Sequence, residues 1–193
     1  MDIAFQRSLL ITTRKYNLPV SVQSTSIILY KMLKKKMNIV YHDMDLIYAF
    51  IIVSIKIESS YNTHNFLEIG NYDRILEYEK SIIRETNFHF NIPSPYLRLL
   101  GMVLVMQQKG LLEMCMQDEN NPNVYYVGDV EAFYAESMKN LDRIILLPTY
   151  LRYHVNEIAI AALNIPEMFW GRIVENVRKE NIRDIIEESK KIQ

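Results

Sequence analysis

Residues 46–58 read Leu46-Ile47-Tyr48-Ala49-Phe50-Ile51-Ile52-Val53-Ser54-Ile55-Lys56-Ile57-Glu58, and their pattern decides the fold class. Leu46, Ile47, Ala49, Phe50, Ile51, Ile52 and Val53 leave a helix no polar face. A helix apolar on nearly all sides belongs in the middle of a bundle. Its most apolar run, Leu46 to Ile55, carries Ser54, ends at Lys56 and is too short for a bilayer, which needs about 20 residues. A buried core helix over Asp43–Glu58 is therefore expected, with Asp43 as N-cap.

The flanking sequence supplies helices to enclose it. Towards the N-terminus, Phe5, Leu9, Leu10 and Thr13 mark one apolar face, broken before Pro19. A second helix is expected over Val20–Lys36, with a buried stripe of Ile27, Ile28, Met32 and Leu33. Lys34-Lys35-Lys36 would load its last turn, where cations oppose the negative end of the helix dipole. Towards the C-terminus come a polar stretch, a short segment Phe66-Leu67-Glu68-Ile69 closed by Gly70, and a helix over Tyr72–Asn87. Ile75, Tyr78, Ile82 and Ile83 should face inward on that last helix.

Asn91-Ile92-Pro93-Ser94-Pro95 is the strongest breaker in the chain, and a boundary between halves is placed there. Ser94 can cap the following helix, with Pro95 at its first position. That helix is expected over Tyr96–Cys115, followed by a polar loop, Gln117–Asn123. Further helices are expected near Asp129–Leu146, Asn156–Leu163, Glu167–Val177 and Asn181–Lys191. The expectation is thus an all-α chain of two consecutive five-helix bundles, 1–91 and 92–193, the second open to abbreviation. Five glycines and six prolines in 193 residues suit long helices better than a turn-rich β fold.

Composition excludes several chemistries. With 22 basic and 23 acidic residues the net charge is −1, which disfavours a dominant nucleic-acid surface. A single cysteine, Cys115, allows neither an internal disulfide nor a cysteine zinc cluster. Its apolar context suits a small buried hydrophobe rather than a nucleophile. Met1-Asp2-Ile3 lacks a basic leader, so no secretory signal is expected. His42, His64, His89 and His154 are scattered. His42-x-x-Asp45 and His154-x-x-Glu157 could each place two ligands on one helical face, but capping explains them better than metal binding. There is no glycine-rich phosphate loop and no Gly-x-Ser-x-Gly elbow. No cofactor and no metal are expected.

Four segments, taken in order, resemble the cyclin family. Ala49 to Glu58 resembles the family's third helix, with an apolar run, a small residue and Lys-x-Glu. Ile75-Leu76-Glu77-Tyr78-Glu79, with Ile82-Ile83 and Asn87-Phe88-His89-Phe90, is similar to its fifth. Ile92-Pro93-Ser94-Pro95-Tyr96 resembles the entry to the second bundle. Tyr153 to Leu163 resembles the small-residue helix at that bundle's centre. The subtype leans towards transcription-associated cyclins such as C, H, K and T. The Met-Arg-Ala-Ile-Leu docking motif of many cell-cycle cyclins is absent, and Met168-Phe169-Trp170 precedes a final amphipathic helix.

The resemblance implies a non-enzymatic regulatory subunit that binds and activates a cyclin-dependent protein kinase as a heterodimer. A third assembly subunit, a nuclear or also cytoplasmic location and no membrane attachment go with it. It implies that Lys56 and Glu79 are the central kinase contacts, with Ile57, Leu76 and Ile83 as the apolar surround. Glu77 is a competing choice for the acid, and Glu58 reads as a solvated helix end. Two other functions stay open: a DNA-binding core like that of general transcription factor IIB, and a scaffold that binds partners without activating a kinase.

Overall fold

The computed structural model describes residues 2–37, 43–58, 70–112, 117–118, 121–125 and 130–192. The chain divides into two compact units, Met1–Ile92 and Pro93–Gln193.

The first unit contains α1 (Asp2–Lys15), α2 (Val20–Leu33), α3 (Met44–Ile57) and α4 (Tyr72–Glu85). Helix α3 packs against all three others, and every residue from Leu46 to Ile55 is buried. Asp43 caps it, its side chain accepting from the Asp45 amide at 3.0 Å. Three rings lock α1, α2 and α3 together. Phe5 stacks on Tyr30 with centroids 4.6 Å apart, and Phe50 meets both edge-on at about 6 Å. Phe5, Leu9, Leu10 and Thr13 are all buried, as their spacing predicts.

Some expectations for this unit need correction. Met32 is 41 % exposed, while Val22, Leu29 and Tyr30 are buried in α2 instead. Helix α2 stops at Leu33, so Lys34 is its C-cap and Lys35 and Lys36 lie beyond it. Tyr78 and Ile83 are half-buried rather than inward-facing. The segment Phe66–Ile69, together with His42 and His64, lies outside the described residues.

The second unit contains α5 (Pro95–Gln108), a strand pair β1 (Gln117–Asp118) and β2 (Asn121–Tyr125), α6 (Val130–Ile144), α7 (Val155–Leu163), α8 (Trp170–Ile173) and α9 (Lys179–Ser189). Helix α7 is central, packed by α5, α6 and α9. Buried Ala159, Ala161 and Ala162 let those neighbours approach closely. Ser94 caps α5 through the Leu97 amide, with Pro95 opening the helix. Tyr96 donates to Asp142 on α6 at 2.6 Å.

Helix α5 ends seven residues short of Cys115. Gly110 adopts the left-handed conformation (φ 64°) that closes helices. Cys115 itself lies outside the described residues. The antiparallel pair β1–β2 occupies the expected polar loop. Its second strand ends in Val124-Tyr125, residues that favour extended chain. The helix expected over Glu167–Val177 is a 3-10 turn, Glu167–Phe169, and the single turn of α8. Val174 turns extended and Asn176 is left-handed (φ 60°), which ends it. Among the described residues no helix is long and apolar enough to cross a membrane.

Candidate partner-binding site

The C-terminus of α3 and the middle of α4 carry the site. Helix α3 is buried up to Ile55, and Lys56 is its first exposed side chain after that run. A cation in this last turn also suits the helix dipole. Helix α4 buries Ile75, Glu79 and Ile82. That spacing (i, i+4, i+7) is one helical face. Glu79 thus stands where an aliphatic residue would ordinarily sit. Its carboxylate receives the Lys56 ammonium at 2.5 Å, with the two side chains 11 % and 50 % exposed respectively.

The pair is therefore neither apart nor sealed. One ammonium hydrogen and one carboxylate oxygen are used in the contact. Two N–H donors on Lys56 and the second oxygen of Glu79 remain for other groups. Leu76 and Ile83 flank Glu79 at one turn on either side, and Ile57 follows Lys56; all three are half-buried. Glu77 is exposed on another face. Glu58 is half-buried and accepts from Thr25 on α2 at 2.7 Å, so it ties helices together rather than facing solvent.

The other end of the α3–α4 pair is fastened by a polar cluster that spacing rules did not reveal. Asp43 accepts from Tyr78 at 2.6 Å and from Arg74 at 2.5 Å. Arg74 also reaches Asp45 at 3.3 Å, and Asp45 accepts from the Asn71 amide at 3.0 Å. The hydrogen bond to Asp43 holds the Tyr78 phenol above its ordinary pKa. Gly70 sits so close to this cluster that a larger residue would have to displace side chains. A Cβ there would lie 2.6 Å from Ile75 Cδ1 and 2.8 Å from Asp45 Oδ1.

Beyond Ile83, an open groove of about 700 Å³ is lined by Lys80, Ile83, Arg84, Asn87 and Phe88. Asn87 and Phe88 both have left-handed backbones (φ 48° and 58°). That is a routine helix ending for asparagine and a costly one for phenylalanine. Phe88 is nonetheless 75 % exposed, and its ring lies T-shaped to that of Phe90, with centroids 6.5 Å apart. An exposed aromatic on a strained backbone extends the apolar surround past Ile83.

The second histidine–acid pair has a structural role. His154 is the N-cap of α7: its ring accepts from the Asn156 amide, and Glu157 returns a bond to the His154 amide at 3.0 Å. Among the described residues no group of three His, Cys, Asp or Glu side chains could hold a metal ion.

This arrangement of helices recurs in a solved assembly. A chain in the cryo-electron-microscopy structure of the yeast TFIIK (Kin28/Ccl1/Tfb3) complex superposes with a TM-score of 0.71 and 20 % identity, covering 99 % of this chain and 84 % of that one. The two chains share a fold. At this identity the TFIIK likeness speaks for architecture rather than for residues. No protein-family model and no curated protein sequence matches.

Proposed function

We propose that this chain is a cyclin: the regulatory subunit of a cyclin-dependent protein kinase that acts in transcription, without catalytic groups of its own, in the nucleus. The observation that carries the reading is the Lys56–Glu79 pair, held at 2.5 Å across α3 and α4 with its lysine half-exposed. The cyclin resemblance supplies the role of these two residues. The fold shared with a chain of a three-protein transcription assembly supports the same direction.

The chemistry suits a clamp on main chain. A lysine donates to carbonyls and a carboxylate accepts amides, so together they can hold the end of a partner's helix. Ile57, Leu76 and Ile83, with exposed Phe88 beside them, offer apolar area around the polar centre. Docking of the kinase's αC helix here would favour the state in which the kinase's own Lys–Glu pair forms.

The test is co-purification with a panel of cyclin-dependent kinases, followed by phosphorylation of a peptide substrate. Lys56→Ala together with Glu79→Ala should reduce association at least tenfold and lower activation in parallel. Undiminished association in a folded double variant would remove the site assignment. A kinase that binds wild type but gains no activity would make the chain a scaffold instead.

A further inference from the structure

Helix α5 carries a second surface, in the other unit. Its buried side is Leu99, Met102, Val103 and Met106. On the opposite side Leu97, Leu100 and Leu104 are 56 %, 39 % and 55 % exposed. Their spacing, i, i+3 and i+7, makes one continuous stripe, with Gly101 between them and nothing within 4 Å of its Cβ position. Soluble surfaces tolerate scattered leucines, but an aligned leucine stripe marks an interaction face.

One edge of the stripe is basic. By helical geometry Arg98 and Lys109 stand on the same side of it, roughly 100° round from Leu97. With Arg172 they line an open groove of about 460 Å³, where Glu175 is the opposing charge. Two of these cations are held in place. Arg98 Nε donates to Asn156 at 2.5 Å, and Lys109 donates to the Arg172 carbonyl at 2.8 Å. Among the described residues none of the three makes an ion pair with a carboxylate. Three cations against one carboxylate, bordering an exposed leucine stripe, ask for a ligand that is apolar on one side and acidic on its edge.

We infer that α5 is a docking face for an amphipathic helix of a second partner protein, one that carries carboxylates along one edge of its apolar stripe. This partner is distinct from the kinase proposed for α3 and α4. Its apolar side covers Leu97, Leu100 and Leu104, and its acids meet Arg98, Lys109 and Arg172. The inference does not depend on the kinase reading, because no residue is shared.

The test is fluorescence anisotropy on the full chain with two synthetic helical peptides. Both have leucines at i, i+3 and i+7; one has glutamates along an edge, the other lysines. The acidic peptide binds and the basic one does not, and added salt weakens the complex. Leu97→Ser with Leu104→Ser weakens binding at least tenfold, as expected when central apolar contacts are lost. Lys109→Glu with Arg172→Glu abolishes it and transfers preference to the basic peptide. All four side chains are exposed, so the variants keep their fold, checked by circular dichroism. Equal binding of both peptides, no binding of either, or indifference to the leucine pair overturns the inference. So does displacement of the acidic peptide by inorganic phosphate alone, which would make the groove a small-anion site. A concentration-dependent dimer that the leucine changes dissolve would assign the face to a second copy of this chain.

Discussion

Replacing Asp43 with alanine should destabilise the first unit by about 2 kcal/mol, and the structure says where the loss arises. Asp43 is 8 % exposed and serves two half-buried or local donors besides Arg74. Losing the N-cap of α3, a 3.0 Å bond to the Asp45 amide, costs about 1 kcal/mol. Losing the 2.6 Å bond from Tyr78 costs about 1 kcal/mol, the lower end for a charged acceptor because the tyrosine is only half-buried. Arg74 faces solvent, and its contact is screened. Asp43→Asn keeps the cap acceptor and should lose about half as much. Urea denaturation of wild type, Asp43→Ala, Tyr78→Phe and the double variant gives the coupling, expected at about 1 kcal/mol. A second readout is the phenol itself. The folded Tyr78 pKa lies above its ordinary value, so this tyrosine's contribution is fully present below about pH 10 and is lost as pH rises beyond it. Ring-carbon NMR titration should show Tyr78 returning towards ordinary behaviour in Asp43→Ala. A loss under about 0.5 kcal/mol, or an unmoved Tyr78 titration, would refute this account of how α3 and α4 are fastened.

Gly70→Ala should cost about 1–3 kcal/mol, because its methyl meets Ile75 Cδ1 at 2.6 Å and Asp45 Oδ1 at 2.8 Å; thermal melts would measure it. Glu157→Gln should cost about 1–3 kcal/mol, since this buried carboxylate accepts from the His154 and Arg178 amides and from Asn181, and an amide N–H would face those donors. Hydrogen exchange at the Arg178 amide should rise in that variant. Arg183, with Lys179, holds the Glu167 carboxyl below its ordinary pKa. Its contribution is present above about pH 4.5 and is lost as pH falls through the lower folded value, so α9 should exchange faster in acid, an effect that Arg183→Gln abolishes.

Helix α3 was the easiest element to read, because a helix apolar on all sides has only one place to go. The same feature hid the surface of α5. Leu97-Arg98-Leu99-Leu100-Gly101-Met102-Val103-Leu104 is apolar on both faces, and local periodicity cannot say which leucines the bundle covers. Met32 misled for the same reason: Ile27 to Leu33 offers more apolar residues than one buried stripe needs. Asp43 was legible as a cap, a local matter of two residues. Its partners Arg74 and Tyr78 lie 31 and 35 residues away and become visible only once α4 is laid against α3. The position of Glu79 did leave a mark, a carboxylate in the Ile75–Ile82 stripe where period alone demands an apolar residue. Lys56 left none, and the cyclin resemblance pointed to it.

The geometry of that pair makes the single and double variants behave differently. Glu79 is almost buried and Lys56 half-exposed. Removing the lysine alone strands a carboxylate in apolar surroundings without its counter-ion. Removing both leaves a small apolar gap and no stranded charge. Lys56→Ala should therefore cost about 1–2 kcal/mol, a value below that for a fully buried pair because water reaches the lysine side. The double variant should be destabilised by less than Lys56→Ala alone. Loss of kinase association would then be largest in a variant whose fold is nearly untouched, which separates a binding role from a structural one. Should the double variant instead be the least stable of the set, the pair would be holding α3 to α4 together, and its loss could not be read as the loss of a kinase contact.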